Sequence, residues 1–146
     1  MAQASSDKPI RKPGGTQANV RKRRAVAFDS SFLIAVMERP TTWSEDITDN
    51  LGAFTPVVLS SVRNELSRLA ARGDKKGKFA ALALELLRQG TFTLEPDGKG
   101  KPDDEIISFA LREGAAVATL DSELAEMLRA SRVTTIISLR GGRVSV

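Results

Sequence analysis

The chain has 146 residues, enough for one domain, of which 41% are hydrophobic and 27% are charged. It contains no cysteine and no histidine, which excludes disulfides, thiol nucleophiles, cysteine-based zinc sites and histidine general bases. Catalysis would therefore rest on Asp, Glu, Ser, Thr, Lys and Arg, and hard carboxylate oxygens suit Mg²⁺ or Mn²⁺. The formal net charge of +4 favours anionic partners, nucleic acid among them.

Residues 1–24 are polar and end in four consecutive basic residues. Such a segment buries too little apolar surface to offset its ordering entropy, so we predict a basic, disordered tail followed by a folded domain over 25–146. The tail could be a solvated segment or an electrostatic arm for RNA. Because the chain has neither a membrane-length apolar run nor a signal-like start, we expect a cytoplasmic protein without a membrane partner.

Strand and helix signals alternate through the rest of the chain, which predicts an α/β fold with a central parallel sheet wrapped by helices. The strands are predicted over 25–28, 56–59 (with Pro56 as the first residue), 92–94, 116–120 and 133–139, with an additional edge over 143–146. The helices are predicted over 30–38, within 41–54, and over 61–72, 75–88, 103–113 and 122–129. In the helices over 75–88 and 103–113, the residues expected to face the core are Phe79, Leu82, Leu86 and Leu87, and Ile106, Ile107, Ala110 and Leu111.

Acidic residues stand close to the ends of the predicted strands, where function collects in an open parallel sheet. Asp29 follows the first strand and Asp121 the fourth. Asp103 and Asp104 open the helix before that fourth strand, and Glu65 lies near the start of the helix after the second. Converging carboxylates repel one another unless a cation compensates. Divalent ions held by carboxylates activate water and neutralise phosphate charge, so the pattern indicates a metal site suited to phosphodiester hydrolysis.

Each acidic residue also has a purely structural explanation, which the sequence leaves open. Asp29 and Asp121 could be helix N-caps. Asp103 and Asp104 suit the first turn of a helix electrostatically, and Glu65 could simply face solvent.

Four segments resemble the motifs of the PIN-domain ribonuclease family, in the same order, and together they span about residues 25 to 140. They read FDSSFLI over 28–34, VVLSSVRNEL over 57–66, PDDEII over 102–107 and VATLD over 117–121. The resemblance implies a Rossmann-like three-layer α/β/α fold and endoribonuclease activity that depends on Mg²⁺ or Mn²⁺. Homodimers are common in that family.

The resemblance also implies roles for individual residues. Asp29, Glu65, Asp103 and Asp121 would be the catalytic carboxylates, and Asp29, Asp103, Asp104 and Asp121 would bind the metal. Asp103 is preferred to Asp104 as a ligand because it stands 18 positions before Asp121, as in PIN toxins. Ser31 and Thr119 would orient carboxylates or metal-bound water, although they could also be ordinary cap and turn hydroxyls.

A basic stretch spans the junction of two predicted helices and comprises Arg72, Lys75, Lys76 and Lys78. It could contact RNA phosphates, or it could be the solvated start of a helix.

The segments over 65–70 and 72–78 most resemble archaeal PIN proteins related to the small-subunit rRNA-processing nuclease. The pair Asp103–Asp104 and the strand end over 117–119 indicate the same group, whereas VapC-type toxins typically carry a single Asp followed by Ala. We therefore expect an endoribonuclease acting on rRNA or pre-rRNA, with ribosome-assembly factors as partners. A VapC-type toxin paired with an antitoxin, and a non-catalytic RNA-binding assembly factor on the PIN fold, are the alternatives. A phospho-acceptor receiver domain fits less well, because it expects adjacent acids after the first strand and only Asp29 stands there.

Overall fold

The computed structural model describes residues 23–146, so the predicted tail lies, up to residue 22, outside the described residues. The strands are β1 (Arg24–Phe28), β2 (Phe54–Leu59), β3 (Thr93–Glu95), β4 (Ala116–Ala118), β5 (Ile136–Arg140) and β6 (Arg143–Ser145). The helices are α1 (Ser30–Glu38), α2 (Trp43–Leu51), α3 (Ser60–Ala70), α4 (Lys75–Arg88), α5 (Pro102–Glu113) and α6 (Ser122–Ala130). Within these residues no helix combines the length and the apolar character that crossing a bilayer requires.

The six strands form one sheet in the order β3-β2-β1-β4-β5-β6. Strands β1 to β5 are parallel, and β6 runs antiparallel to β5 at one edge. The strand order reverses between β1 and β4, and right-handed crossovers then place the helices of the two halves on opposite faces. The predicted α/β architecture with a central parallel sheet is confirmed. The reversal is also where ligands bind in open α/β sheets, outside the carboxyl ends of the strands.

Strand boundaries differ from the prediction in two places that matter. Pro56 is the third residue of β2 and not the first. Because β2 pairs with β3 only from Val57 onward, Pro56 lies where β2 has a single neighbouring strand and a missing N–H donor is tolerated. Strand β4 ends at Ala118, which leaves Thr119 and Leu120 in the loop that leads to α6.

The core is centred on β1 and an aromatic cluster packed beside it. Phe28 contacts Phe32, Trp43 and Phe92 edge to face, with ring centroids 5.3 to 5.5 Å apart. Such pairs stabilise a core by about 0.5 to 1.5 kcal/mol beyond the area they bury. Phe28, the last residue of β1, is therefore packed on several sides. This packing fixes the backbone from which Asp29, the next residue, extends.

Two residues expected in the core are exposed: Leu82 on α4 is 46% exposed, and Leu111 on α5 is 54% exposed. The buried face of α4 instead includes small residues, among them Gly77 and Ala80. A Cβ at Gly77 would overlap the carbonyl oxygen of Leu69 in α3, so the glycine permits close approach of the two helices. A pattern based on large apolar residues missed a face built on small ones.

One buried carboxylate fastens the edge of the sheet to α2. Asp46 accepts hydrogen bonds from the guanidinium of Arg143, at 3.1 and 3.3 Å, and from the backbone N–H of Val144 at 3.2 Å. Thr42 Oγ1 donates a further bond of 3.2 Å. The hydrogen bond from Arg143, followed by that from Val144, holds the pKa of Asp46 below its usual value of 3.8. The ionised form of Asp46 is thus the one that secures β6.

Replacing Asp46 with Asn should lower stability at neutral pH, because the charged acceptor for Arg143 and Val144 is lost. A carboxylate whose folded-state pKa is depressed contributes stability above its unfolded pKa and loses it as pH falls through the folded value. The difference in urea midpoint between wild type and Asp46→Asn should therefore be largest at pH 7 and shrink below about pH 4. Glu45→Gln, an exposed change on the same helix, is the control. Equal midpoints at pH 7 would contradict this assignment.

Candidate active site at the carboxyl ends of β1 and β4

Asp29 follows β1 directly, and only 4% of it is exposed. It occupies the N-cap position of α1, yet its side chain makes no capping hydrogen bond, so the helix-cap interpretation of Asp29 is wrong. Its Oδ2 instead accepts hydrogen bonds from Ser31 Oγ at 2.7 Å and from Thr119 Oγ1 at 2.8 Å. Its backbone N–H donates to the carbonyl of Ala118 at 2.9 Å, which ties the ends of β1 and β4 together.

The two hydroxyl groups are themselves oriented by the backbone. Ser31 Oγ accepts from the N–H of Leu120 at 2.9 Å, and Thr119 Oγ1 accepts from the N–H of Asp121 at 3.0 Å. Each hydroxyl has a single proton, and a bond from a backbone N–H uses its acceptor side. Both protons are therefore directed at Asp29 Oδ2, which fixes the orientation of the carboxylate. Within residues 23–146, Oδ1 of Asp29 accepts no side-chain hydrogen bond.

Asp121 caps a helix and also lies near the carboxyl end of β4, beside Thr119. Its Oδ1 accepts from the backbone N–H groups of Glu123 at 2.9 Å and Leu124 at 3.2 Å, as expected for the N-cap of α6. The structural explanation for Asp121 is therefore confirmed, but it accounts for one oxygen only. No hydrogen bond to Oδ2 exists among the described residues.

Glu65, Asp103 and Asp104 line one open cleft of about 410 Å³. Glu65 lies on α3, half-buried, with its Oε1 accepting from Ser30 Oγ at 3.1 Å. Asp103 is half-buried in the first turn of α5, and Asp104 beside it is exposed. The fold thus brings the second and third motifs to the same opening.

The other acidic residues lie near enough to Asp103 to affect its pKa. Burial raises the pKa of Asp103 above its usual value of 3.8, and the negative charges of Asp29, Asp121, Glu65 and Asp104 raise it further. In the part of the chain that the structure describes, no three carboxylates are close enough to form a preformed cation cage. An oxygen-only set of mutually repelling carboxylates nevertheless fits the ligands that Mg²⁺ and Mn²⁺ prefer.

The loop before α5 contains residues that sequence reasoning missed. Glu105 accepts hydrogen bonds from the N–H groups of Gly98 at 2.9 Å and Gly100 at 3.1 Å, and a Cβ at Gly100 would collide with the Glu105 carboxylate. Asp97 accepts from the backbone N–H of Ser61 at 3.2 Å and from its hydroxyl, so it holds the loop to the start of α3. The available signal was the Gly-x-Gly spacing immediately before an acidic first turn. The loop fixes where α5 presents its acidic pair.

The basic stretch lies away from the carboxylates. Lys75 Nζ is 3.9 Å from Glu38 Oε2, at the end of α1 opposite the site, and the axis of α1 is about 13 Å long. Arg72 is paired with Asp74, which also caps α4 through Gly77. The structure does not bring these basic residues together with the acidic edge, which comprises Asp29, Glu65, Asp103, Asp104 and Asp121. RNA binding by Arg72, Lys75, Lys76 and Lys78 stays a prediction.

Comparisons with known proteins identify the family. The PIN-like domain family matches residues 26–142. The chain is 31% identical over 112 residues to Ribonuclease VapC4 of Methanocaldococcus jannaschii, a match that covers 75% of this chain and 86% of that protein.

Solved structures support the fold. The PIN domain endonuclease Utp24 superimposes with a TM-score of 0.69 at 22% identity, covering 82% of this chain and 88% of that one. A domain of a functionally unknown protein from Methanocaldococcus jannaschii gives 0.56 at 18% identity, covering 84% and 96%. The Rossmann-like three-layer architecture implied by the resemblance is confirmed. Because the family match spans nearly all the described residues, and the curated relative is itself a ribonuclease, this chain belongs to the PIN-domain ribonuclease family.

Proposed function

We propose that the chain is a divalent-metal-dependent endoribonuclease that processes precursor rRNA. The observation that supports metal dependence is that Glu65, Asp103 and Asp104 line one cleft. The charges of Asp29 and Asp121 lie near enough to contribute to the raised pKa of Asp103. Like charges placed together oppose folding, and a bound cation would offset that repulsion. Membership of a ribonuclease family supports RNA as the substrate.

Asp29, Asp103, Asp104 and Asp121 would hold Mg²⁺ or Mn²⁺, each through carboxylate oxygens that hydrogen bonds leave available. When bound, the ion would neutralise charge on the phosphate and lower the pKa of a water molecule. The chain's own contribution is positional. The hydroxyls of Ser31 and Thr119 hold the Asp29 carboxylate in one orientation.

Glu65 is the best placed group to receive a proton. It lines the same cleft as Asp103, and within residues 23–146 it accepts a side-chain hydrogen bond at Oε1, from Ser30, and none at Oε2. A general base must lie within hydrogen-bond reach of the proton that it takes. With the reacting phosphate in this cleft, Oε2 of Glu65 would accept a proton from the attacking water.

Precursor rRNA is favoured as substrate by the paired Asp103–Asp104, and Asp104 lines the same cleft as Asp103. The second candidate is a toxin ribonuclease with an antitoxin partner, which the 31% identity to Ribonuclease VapC4 favours. The two candidates share their chemistry and differ in substrate and partner.

Asp29→Asn should reduce RNA cleavage by more than about 100-fold, because it removes a charged metal ligand and not merely a group that supports one. The assay is cleavage of labelled single-stranded and structured rRNA fragments with Mn²⁺, with Mg²⁺ and with EDTA. Asp49→Asn, an exposed carboxylate on α2, should behave as wild type, and circular dichroism checks that the variant folds.

The same assay separates the candidates. One cut in a precursor rRNA fragment supports processing, whereas broad cutting and growth arrest on expression support a toxin. If wild type and Asp29→Asn cut nothing with either metal yet bind RNA equally well, the non-catalytic assembly factor becomes the better explanation.

Thr119→Val should lower activity by about 10- to 100-fold, the usual cost of losing a group that orients a metal ligand. The substitution keeps the side-chain shape and removes the O–H that Asp29 accepts. Titration with Mn²⁺ should show that the variant needs more metal for half-maximal rate. Thr93→Val, an exposed change on β3, is the matched control, and an unchanged Mn²⁺ titration would count against the orienting role.

Asp103→Asn should stabilise the metal-free protein at pH 7. A carboxyl whose folded-state pKa is raised destabilises the fold once ionised, and the penalty disappears as pH falls through that pKa toward 3.8. In EDTA, the variant should therefore melt above wild type at pH 7 and level with it near pH 4. Adding Mn²⁺ should raise the melting temperature of wild type more than that of the variant. If the variant melts below wild type in EDTA at pH 7, the acidic edge is not destabilised by repulsion.

A further inference from the structure

A groove of about 400 Å³ opens beside Asp121, between α6 and the edge of the sheet. On one side it is lined by residues at helical spacing on α6, namely Ser122, Ala125, Glu126 and Arg129. On the other side it is lined by alternate residues of β5, namely Ile136, Ser138 and Arg140. Both elements thus turn one regular face toward the same space.

The groove carries donors suited to phosphate. Arg129 and Arg140 line it, and none of the ion pairs within residues 23–146 uses either of them. Guanidinium groups bind phosphate through charge-assisted hydrogen bonds, and the serine hydroxyls beside them add neutral ones. Among the described residues that line the groove, acidic side chains belong to Asp121 and Glu126.

The groove is continuous with the candidate active site. Thr119 and Asp121 line it, and the same two residues belong to the network around Asp29. An RNA strand bound along α6 would therefore reach the acidic edge directly. The basic stretch at the far end of α1 has no such continuity.

The volume and lining of the groove suit single-stranded RNA better than double-stranded RNA. Its volume lies in the range of about 300 to 1,000 Å³ that suits small ligands, whereas double-stranded RNA is read across broad surfaces spanning successive grooves. The apolar residues Leu120, Ile136 and Val146 line it, and within residues 23–146 no aromatic side chain does. Bases could rest on these residues without being identified by hydrogen bonds.

We infer that this groove holds the single-stranded RNA next to the scissile phosphate, with backbone phosphates on Arg129 and Arg140. The inference rests on the proposed ribonuclease function. The two arginines would be positioning residues, because they hold the substrate without touching the reacting atoms. Affinity from such contacts is insensitive to sequence and falls with salt.

The experiment measures binding apart from cleavage. The full-length chain is titrated in EDTA against a short fluorescein-labelled single-stranded RNA, over a series of salt concentrations. The double variant Arg129→Gln/Arg140→Gln should weaken binding by roughly tenfold and reduce the salt slope by about 1.4, or about 0.7 for each lost phosphate contact. In the cleavage assay with Mn²⁺, the same variant should raise KM much more than it lowers kcat.

Matched variants sharpen the result. Arg39→Gln/Arg112→Gln removes two exposed arginines elsewhere and should change affinity less than twofold. Glu126→Gln should tighten binding, because it removes the repelling carboxylate from the groove. Lys75→Gln/Lys76→Gln reports on the basic stretch in the same assay.

The outcomes are distinguishable from those of the proposed function. If the arginine variant binds and cuts like wild type, the groove assignment is overturned while the ribonuclease proposal stands. If wild type cuts nothing under any metal but the arginine variant still loses RNA binding, the groove stands and the catalytic proposal fails. A larger loss from the lysine variant than from the arginine variant would move the RNA path to the basic stretch.

Discussion

The buried carboxylate of Asp29 is the group around which the rest of the site is arranged. A charge taken out of water is costly unless hydrogen bonds compensate, and here both bonds come from hydroxyls, one on α1 and one in the loop after β4. Those hydroxyls accept in turn from the backbone N–H groups of Leu120 and Asp121. The hydrogen bonds that satisfy this one carboxylate therefore also join the carboxyl ends of β1 and β4, where the strand order reverses.

Repulsion among the acidic side chains sets a second requirement. The site gathers like charges around Asp103, so stability has to come from elsewhere in the fold. The aromatic cluster around Phe28 lies directly before Asp29 in the chain and supplies a rigid base. The bonds between Asp46 and Arg143 hold β6 in place, next to the β5 face that lines the proposed RNA groove.

The protein has two groups of basic residues that could contact RNA, and they differ in where the fold places them relative to the acidic edge. The stretch containing Lys75 was a candidate RNA contact in the sequence because its basic residues lie close together in the chain, although a solvated helix start was the alternative. It lies at the end of α1 away from Asp29. Arg129 and Arg140 are isolated in the sequence, yet they line a groove that runs into the acidic edge. Sequence similarity to a ribonuclease relative identifies the chemistry and does not by itself trace the path of the substrate.

Local patterns were sufficient for much of this protein. The alternation of strands and helices, and the acidic residues that follow strands, could be read from the sequence because periodicity and strand ends are properties of neighbouring residues. Only the tertiary structure decided what depends on distant segments. It made Asp29 an acceptor for Thr119 and not a helix cap, used Glu105 to fold the glycine loop back on itself, and left Leu82 exposed where small residues pack more closely. These outcomes depend on which surfaces meet when the chain closes, and no local pattern in the sequence encodes that.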